Sequence, residues 1–235
     1  MADLFFPEDR PSFLSRPEWQ HVMRDRRRRL IHPPEMPDEA IDAIDEFNVS
    51  LAFVPEVIRL GYPALVAAKA GQTPDAACVA ATRPIATRCH SLLKIWHDTY
   101  FHVLPAAEEV VSEDPDSIYA VVLRHPVAWA GALRLSYWAT ILLLQSMLLA
   151  VGSSDLNDEQ EKQEYVRNIL RSLEHLSKGP LGPYRIGYAV RVAYELANAD
   201  AQAWIRGMMD RWTKQYAAVD KASYPEQRQD AEGYS

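Results

Sequence analysis

Between Arg134 and Gly152 the chain runs for seventeen residues, LSYWATILLLQSMLLAV, without a charge. A segment this apolar has to be covered on most of its circumference, by lipid or by the rest of the chain. A membrane span wants about 20 apolar residues in a row. This run falls short, Gln145 interrupts it, and its far end has no basic flank. It therefore reads as a helix buried in a protein core, and the remaining segments must supply what buries it.

Prolines and glycines divide those segments. Pro37-Asp38-Glu39 places Pro and two acids where a first helical turn prefers them, and Ile41, Ile44, Phe47, Val49 and Leu51 continue the apolar pattern. Pro55 ends or kinks that helix, and another runs from Pro55 to Ala70 and stops at Gly71. Thr73-Pro74-Asp75 caps a long segment to Leu104, either kinked or divided at Pro84. Residues 108–116 read as a linker or frayed helix, with another turn or two in 117–123. Pro126 opens the apolar helix, and Gly152-Ser153-Ser154-Asp155 turns the chain into an amphipathic helix over Asp158–Ser177. Two further stripes, Ile186/Val190/Ala193/Tyr194 and Trp204/Met208/Trp212/Tyr216, have helical spacing. No run alternates convincingly with period two. The fold class is all-α, a single-domain helical bundle or two-layer helical array over 37–219. A Pro-rich arm, 1–36, with a short helix from Pro17 to Leu30, precedes it, and a disordered tail, 220–235, follows.

Composition narrows the function. A net charge of −7 is a poor field for binding a polyanion. Arg24 and Arg26–Arg29 form the one basic run, readable as a nuclear-localisation patch, as an anion clamp or as a partner for acidic surface. Cys78 and Cys89 can make neither a disulfide framework nor a six-thiolate zinc cluster. The acidic, Pro-broken start lacks the order of a secretory signal, so the expected home is the cytoplasm or nucleus. Phosphate loop, nucleophile elbow and CxxC motifs are absent from the sequence, and no cofactor or metal is expected.

One corner carries a resemblance. In GPLGPYRIGYAVRVAY, Gly179 to Tyr194, two Gly-Pro steps surround Leu181 and feed directly into an amphipathic segment. With Tyr137-Trp138-Ala139, Ile169-Leu170-Arg171-Ser172, Val190-Arg191-Val192-Ala193 and Ala203-Trp204-Ile205-Arg206, it resembles the carboxyl-terminal regulatory region of fungal zinc binuclear-cluster transcription factors. The similarity runs from roughly 80 to 217. It implies an all-helical regulatory module that senses metabolites or holds partners. The cysteines for a binuclear cluster are missing, so direct DNA binding is not expected.

Several groups could carry chemistry. His97, Asp98 and His102 lie together in KIWHDTYFHVL, and Asp98, four residues before His102 on a helix, would orient it as a general base. The plain alternative is an exposed pair at a helix end. No HExxH pattern accompanies them, which argues against a metal. Arg185 or Arg191 would hold a ligand carbonyl in a pocket lined by Tyr137, Trp138, Tyr188 and Trp204. Alternatively, the arginines satisfy helix-end carbonyls or pair with Glu195, and the aromatics are core. The acids from Asp155 to Glu164 stand at a helix start, where they favour the dipole and face water.

Two functional expectations follow. In the first, a regulator-like helical fold acts on an apolar small molecule of fungal secondary metabolism, promoting cyclisation or proton transfer without a cofactor. His97, Asp98 and His102 would be catalytic, with Tyr137, Trp138, Arg185, Tyr188, Arg191 and Trp204 binding the ligand. In the second, the chain is a non-catalytic regulator that binds an effector or partner and lacks its DNA-binding domain. A homodimer or a regulatory protein partner is compatible with either, and no membrane partner is expected.

Overall fold

The structure, a computed structural model, describes residues 16–26, 36–153, 158–179 and 181–215. Among them are eight α-helices: α1 (Pro17–Arg26), α2 (Asp38–Leu51), α3 (Val54–Lys69), α4 (Ala76–Tyr100), α5 (Ala128–Ala150), α6 (Glu159–Leu176), α7 (Gly182–Leu196) and α8 (Ala199–Gln215). A 3₁₀ turn, Phe101–Val103, follows α4, and a hairpin of β1 (Glu108–Val111) and β2 (Val121–Arg124) separates it from α5. The fold is mostly helical, as the sequence implies. The hairpin corrects the reading of 108–123 as linker, frayed helix and turns.

The helix ends follow the punctuation. Pro55 sits in the first turn of α3 instead of inside α2, and Gly71 takes φ 68° just past the end of α3. Asp75, one residue beyond Pro74, caps α4 by accepting the Cys78 N–H at 3.0 Å. Pro84 stands inside α4 without ending it. Ala80, whose carbonyl loses its helical donor there, is exposed, so water can serve that oxygen. Asp158 and Asn198 cap α6 and α8 through the N–H groups of Glu161 and Ala201. At the Gly-Pro corner the demand is steric. A Cβ on Gly182 would lie 1.8 Å from the Ser177 carbonyl oxygen, so no other residue fits.

The chain divides into two compact units, where the sequence suggested one helical domain over 37–219. Unit 1 comprises residues 1–106 and 136–165, and unit 2 comprises 107–135 and 166–235. The boundaries fall inside α5 and α6. In unit 1, α4 packs along α2 and α3, and α1 lies against α2. Gly61 permits the closest approach, because a Cβ there would meet Thr82 Cγ2 at 2.9 Å and Met147 Sδ at 3.2 Å. Phe47, Leu93, Trp96, Ile141 and Leu144 fill the core. In unit 2, α7 packs on α8, and Ile169, Leu173, Ile186, Val190 and Ile205 are buried.

Two stretches, Asp38–Lys69 and Ala128–Ala150, are long and apolar enough to cross a membrane. The second is about two-thirds buried inside the protein, as the sequence leads one to expect of a core helix.

Candidate functional site

Unit 1 carries its polar chemistry on one face of α4, where His90, Lys94 and His97 follow helical spacing. The centre of this arrangement is Glu161, in the first turn of α6. Its Oε1 accepts Lys94 Nζ at 2.9 Å and the Tyr165 hydroxyl at 2.8 Å, and its Oε2 accepts Gln145 Nε2 at 2.8 Å. Gln145, the residue that interrupts the apolar run, is buried and spends its amide on this carboxylate. Burial works to raise the Glu161 pKa. Hydrogen bonds from Lys94 and Tyr165, the Lys94 charge and the Gln145 bond outweigh it and hold the group below its ordinary value. The sequence reading placed this acid on a solvated helix start. Only its N–H, bound to Asp158, plays that role.

An aromatic cluster adjoins the carboxylate. The fully buried Tyr137 ring lies 5.0 Å from His97, 5.6 Å from Trp96, 5.7 Å from Phe101 and 6.2 Å from Tyr165. Trp96 donates its Nε1–H to the Ala43 carbonyl at 2.7 Å. Burial raises the pKa of both Tyr137 and Tyr165, so both remain neutral phenols at neutral pH. His90 is also buried, and desolvation with the Lys94 charge lowers its pKa against the opposing Glu161 charge. Its Nε2 has no hydrogen-bond partner among the described residues, whereas the Tyr137 hydroxyl interacts with that of Tyr165.

The proposed catalytic residues sit differently. Asp98 is 79% exposed, and its Oδ1 lies 3.3 Å from His97 Nδ1. It approaches its sequence neighbour, whereas His102 lies beyond the end of α4 in the 3₁₀ turn and is exposed. His97 is partly exposed and stacks on Tyr137 and Phe101. The ligand-binding candidates divide between the units. Tyr137 and Trp138 are buried in unit 1, while Arg185, Tyr188, Arg191 and Trp204 belong to unit 2. Arg191 pairs with Glu195 at 3.0 Å, Tyr188 is exposed, and Trp204 meets Tyr119 edge-on at 6.3 Å.

Unit 2 holds a second polar pair, which sequence reasoning missed. His125, buried after β2, has Nε2 2.9 Å from Ser172 Oγ. Ser172 donates its own proton to the Asn168 carbonyl at 2.7 Å, so the imidazole carries its hydrogen on Nε2 and donates it. Nδ1 has no partner among the described residues. Desolvation, with Arg134 and His175 nearby, pushes the His125 pKa down to about 4. Gly131 makes room for the ring, because a Cβ there would lie 2.7 Å from His125 Cγ. Ser172 is fully buried and already committed to a carbonyl, so the pair is not an activated nucleophile.

Among the described residues no group of three or more His, Cys, Asp or Glu could hold a metal ion. Both cysteines are free thiols, and burial pushes Cys89 up to about 12. Comparisons with protein-family models, curated proteins and solved structures find no match.

Proposed function

We propose that the chain is a non-catalytic regulatory module that binds an effector or a protein partner. The resemblance to the regulatory region of fungal zinc-cluster factors favours this class. The observation that carries the reading is the state of Glu161. A proton-transfer site needs a group poised near the working pH. Here the carboxylate is held ionised by three donors, and the neighbouring tyrosines are held neutral. Such groups fix a charge pattern between helices.

The test is incubation of the purified protein with a panel of apolar polyketide and terpenoid precursors, followed by mass spectrometry. Unchanged precursors are expected. Consumption by the wild type that His97→Ala or His102→Ala abolishes would overturn the proposal. Binding to duplex DNA is expected to be absent or weak, given the net charge of −7.

One observation favours a second reading, cofactor-free chemistry on an apolar small molecule. The unpartnered His90 Nε2 is buried in the unit that holds Glu161, where a ligand oxygen would satisfy it. The precursor panel separates the two readings.

A further inference from the structure

His125 is the joint of unit 2. It follows β2 directly, precedes Pro126 and is buried. Helices α5 and α6 close on its ring. A Cβ on Gly131, in the first turn of α5, would lie 2.7 Å from His125 Cγ and 2.7 Å from Leu176 Cδ2 of α6. Among the described residues the ring's hydrogen-bond partner is Ser172 of α6, at 2.9 Å. Nε2 carries the proton of that bond, so Nδ1 is bare and faces no partner among the described residues. A second proton can go only to Nδ1. There it makes a donor with nothing to accept it, in a seam with no slack. The charged groups around the joint give no relief. Arg134 of α5 and His175, one turn beyond Ser172 on α6, are the charges that His125 feels, and each repels a cation. The nearby carboxylates are committed elsewhere: Glu108 to Arg124, Glu109 to Arg171, Glu113 to Lys178, and Glu174 to the Ser112 hydroxyl and the Glu113 N–H.

We propose that the joint is a proton-operated clasp: with His125 neutral it holds the base of the hairpin against α6, and acid opens it. The tip of the hairpin is anchored separately. Arg211 holds Asp114 and Asp116 at 2.6 and 2.8 Å, so the base swings while the tip stays. Opening uncovers Val122 and Leu123 of β2 and Leu176 of α6, all buried in the closed form. Unit 2 then presents an apolar surface that it hides at neutral pH. A local opening of this kind costs less than unfolding the whole unit. Burial, Arg134 and His175 set the size of the effect. His125 moves from an ordinary 6.5 to about 4 in the closed joint, so the opening equilibrium rises about thirtyfold between pH 7.5 and 5. The inference goes beyond the binding-module reading and does not rest on it.

The experiment is hydrogen exchange of the full chain at pH 7.5 and 5, read by mass spectrometry as protection factors corrected for the intrinsic rate. Expected is a fall of about thirtyfold over 121–131 and 172–176, with α2 and α3 unchanged. An apolar dye should bind at pH 5 and not at pH 7.5. His125→Gln, neutral throughout and able to donate to Ser172, should stay closed at pH 5, whereas His175→Gln should keep most of the response. Nitrogen-15 NMR of the wild-type His125 ring gives a reading that needs no variant: the proton sits on Nε2 at pH 7.5, and the titration midpoint lies well below 6.5. Unchanged protection at the joint, an acid response that survives in His125→Gln, a proton on Nδ1 at neutral pH, or a midpoint near 6.5 would overturn the proposal.

Discussion

The two units bury polar groups by opposite means. Unit 1 takes a charged carboxylate, Glu161, into a helix seam and surrounds it with Lys94, Gln145 and Tyr165. Unit 2 takes in an imidazole, His125, keeps it neutral and gives it one partner, Ser172. A buried charge is tolerated only with several donors, whereas a neutral group needs one bond and the absence of a proton. The difference makes unit 1 sensitive to loss of any member of its network and unit 2 sensitive to acid.

The largest expected effect strikes unit 2 through its backbone. Gly182→Ala places a methyl group against the Ser177 carbonyl, and is expected to cost more than about 3 kcal/mol. Hydrogen exchange should show α7 and α8 losing protection first. Uniform loss across α2 to α4 would erase the distinction between the units.

Acid sharpens the comparison. His125 shifts from an ordinary 6.5 to about 4 on folding, so the folded state binds fewer protons between those values. Its stabilising contribution is full above pH 6.5 and is lost as pH falls toward 4, by up to about 3 kcal/mol. His90 in unit 1 acts in the same direction, opposed by the Glu161 charge. The Glu161 contribution is present above the ordinary carboxylate pKa of 4.5 and is lost only below it. Between pH 6.5 and 5, residues 166–176 of α6 and helix α7, all in unit 2, should therefore lose protection ahead of unit 1. His125→Leu should flatten that dependence, and an unchanged slope would assign it elsewhere.

Glu161→Ala should destabilise by about 2 kcal/mol in chemical denaturation, because it strands Lys94, Gln145 and Tyr165 together. The partial exposure of Glu161 and Lys94 keeps the figure below that of a fully buried pair. A neutral outcome would show that water replaces the carboxylate. His97→Ala, which loses stacking on Tyr137 and Phe101, should cost about 1 kcal/mol, and His102→Ala almost nothing.

What the sequence disclosed was local. Proline and glycine placed both ends of α3, the end of α6 and the start of α7, because those residues act through their own dihedrals. The uncharged run disclosed a core helix because burial follows from composition alone. Residues 108–111 and 121–124 gave no strand signal: four-residue strands are too short to show alternation, and acids dominate the first. Glu161 was legible as a first-turn acid but not as a partly buried hub, because its partners Gln145 and Lys94 lie 16 and 67 residues away on other helices. Likewise, Asp98 and His102 have the right spacing for one helix, but α4 ends at Tyr100 and gives way to a 3₁₀ turn between them. His125 and Ser172, 47 residues apart, meet only through tertiary packing.

The central claim is that the charge at the heart of unit 1 is fixed. A carbon-13 NMR titration of the Glu161 side-chain carboxyl tests it directly. The account predicts a midpoint below the usual carboxylate range, with the group fully ionised at neutral pH. A midpoint near 7 would contradict it, placing a poised acid between the helices and restoring proton transfer as the function.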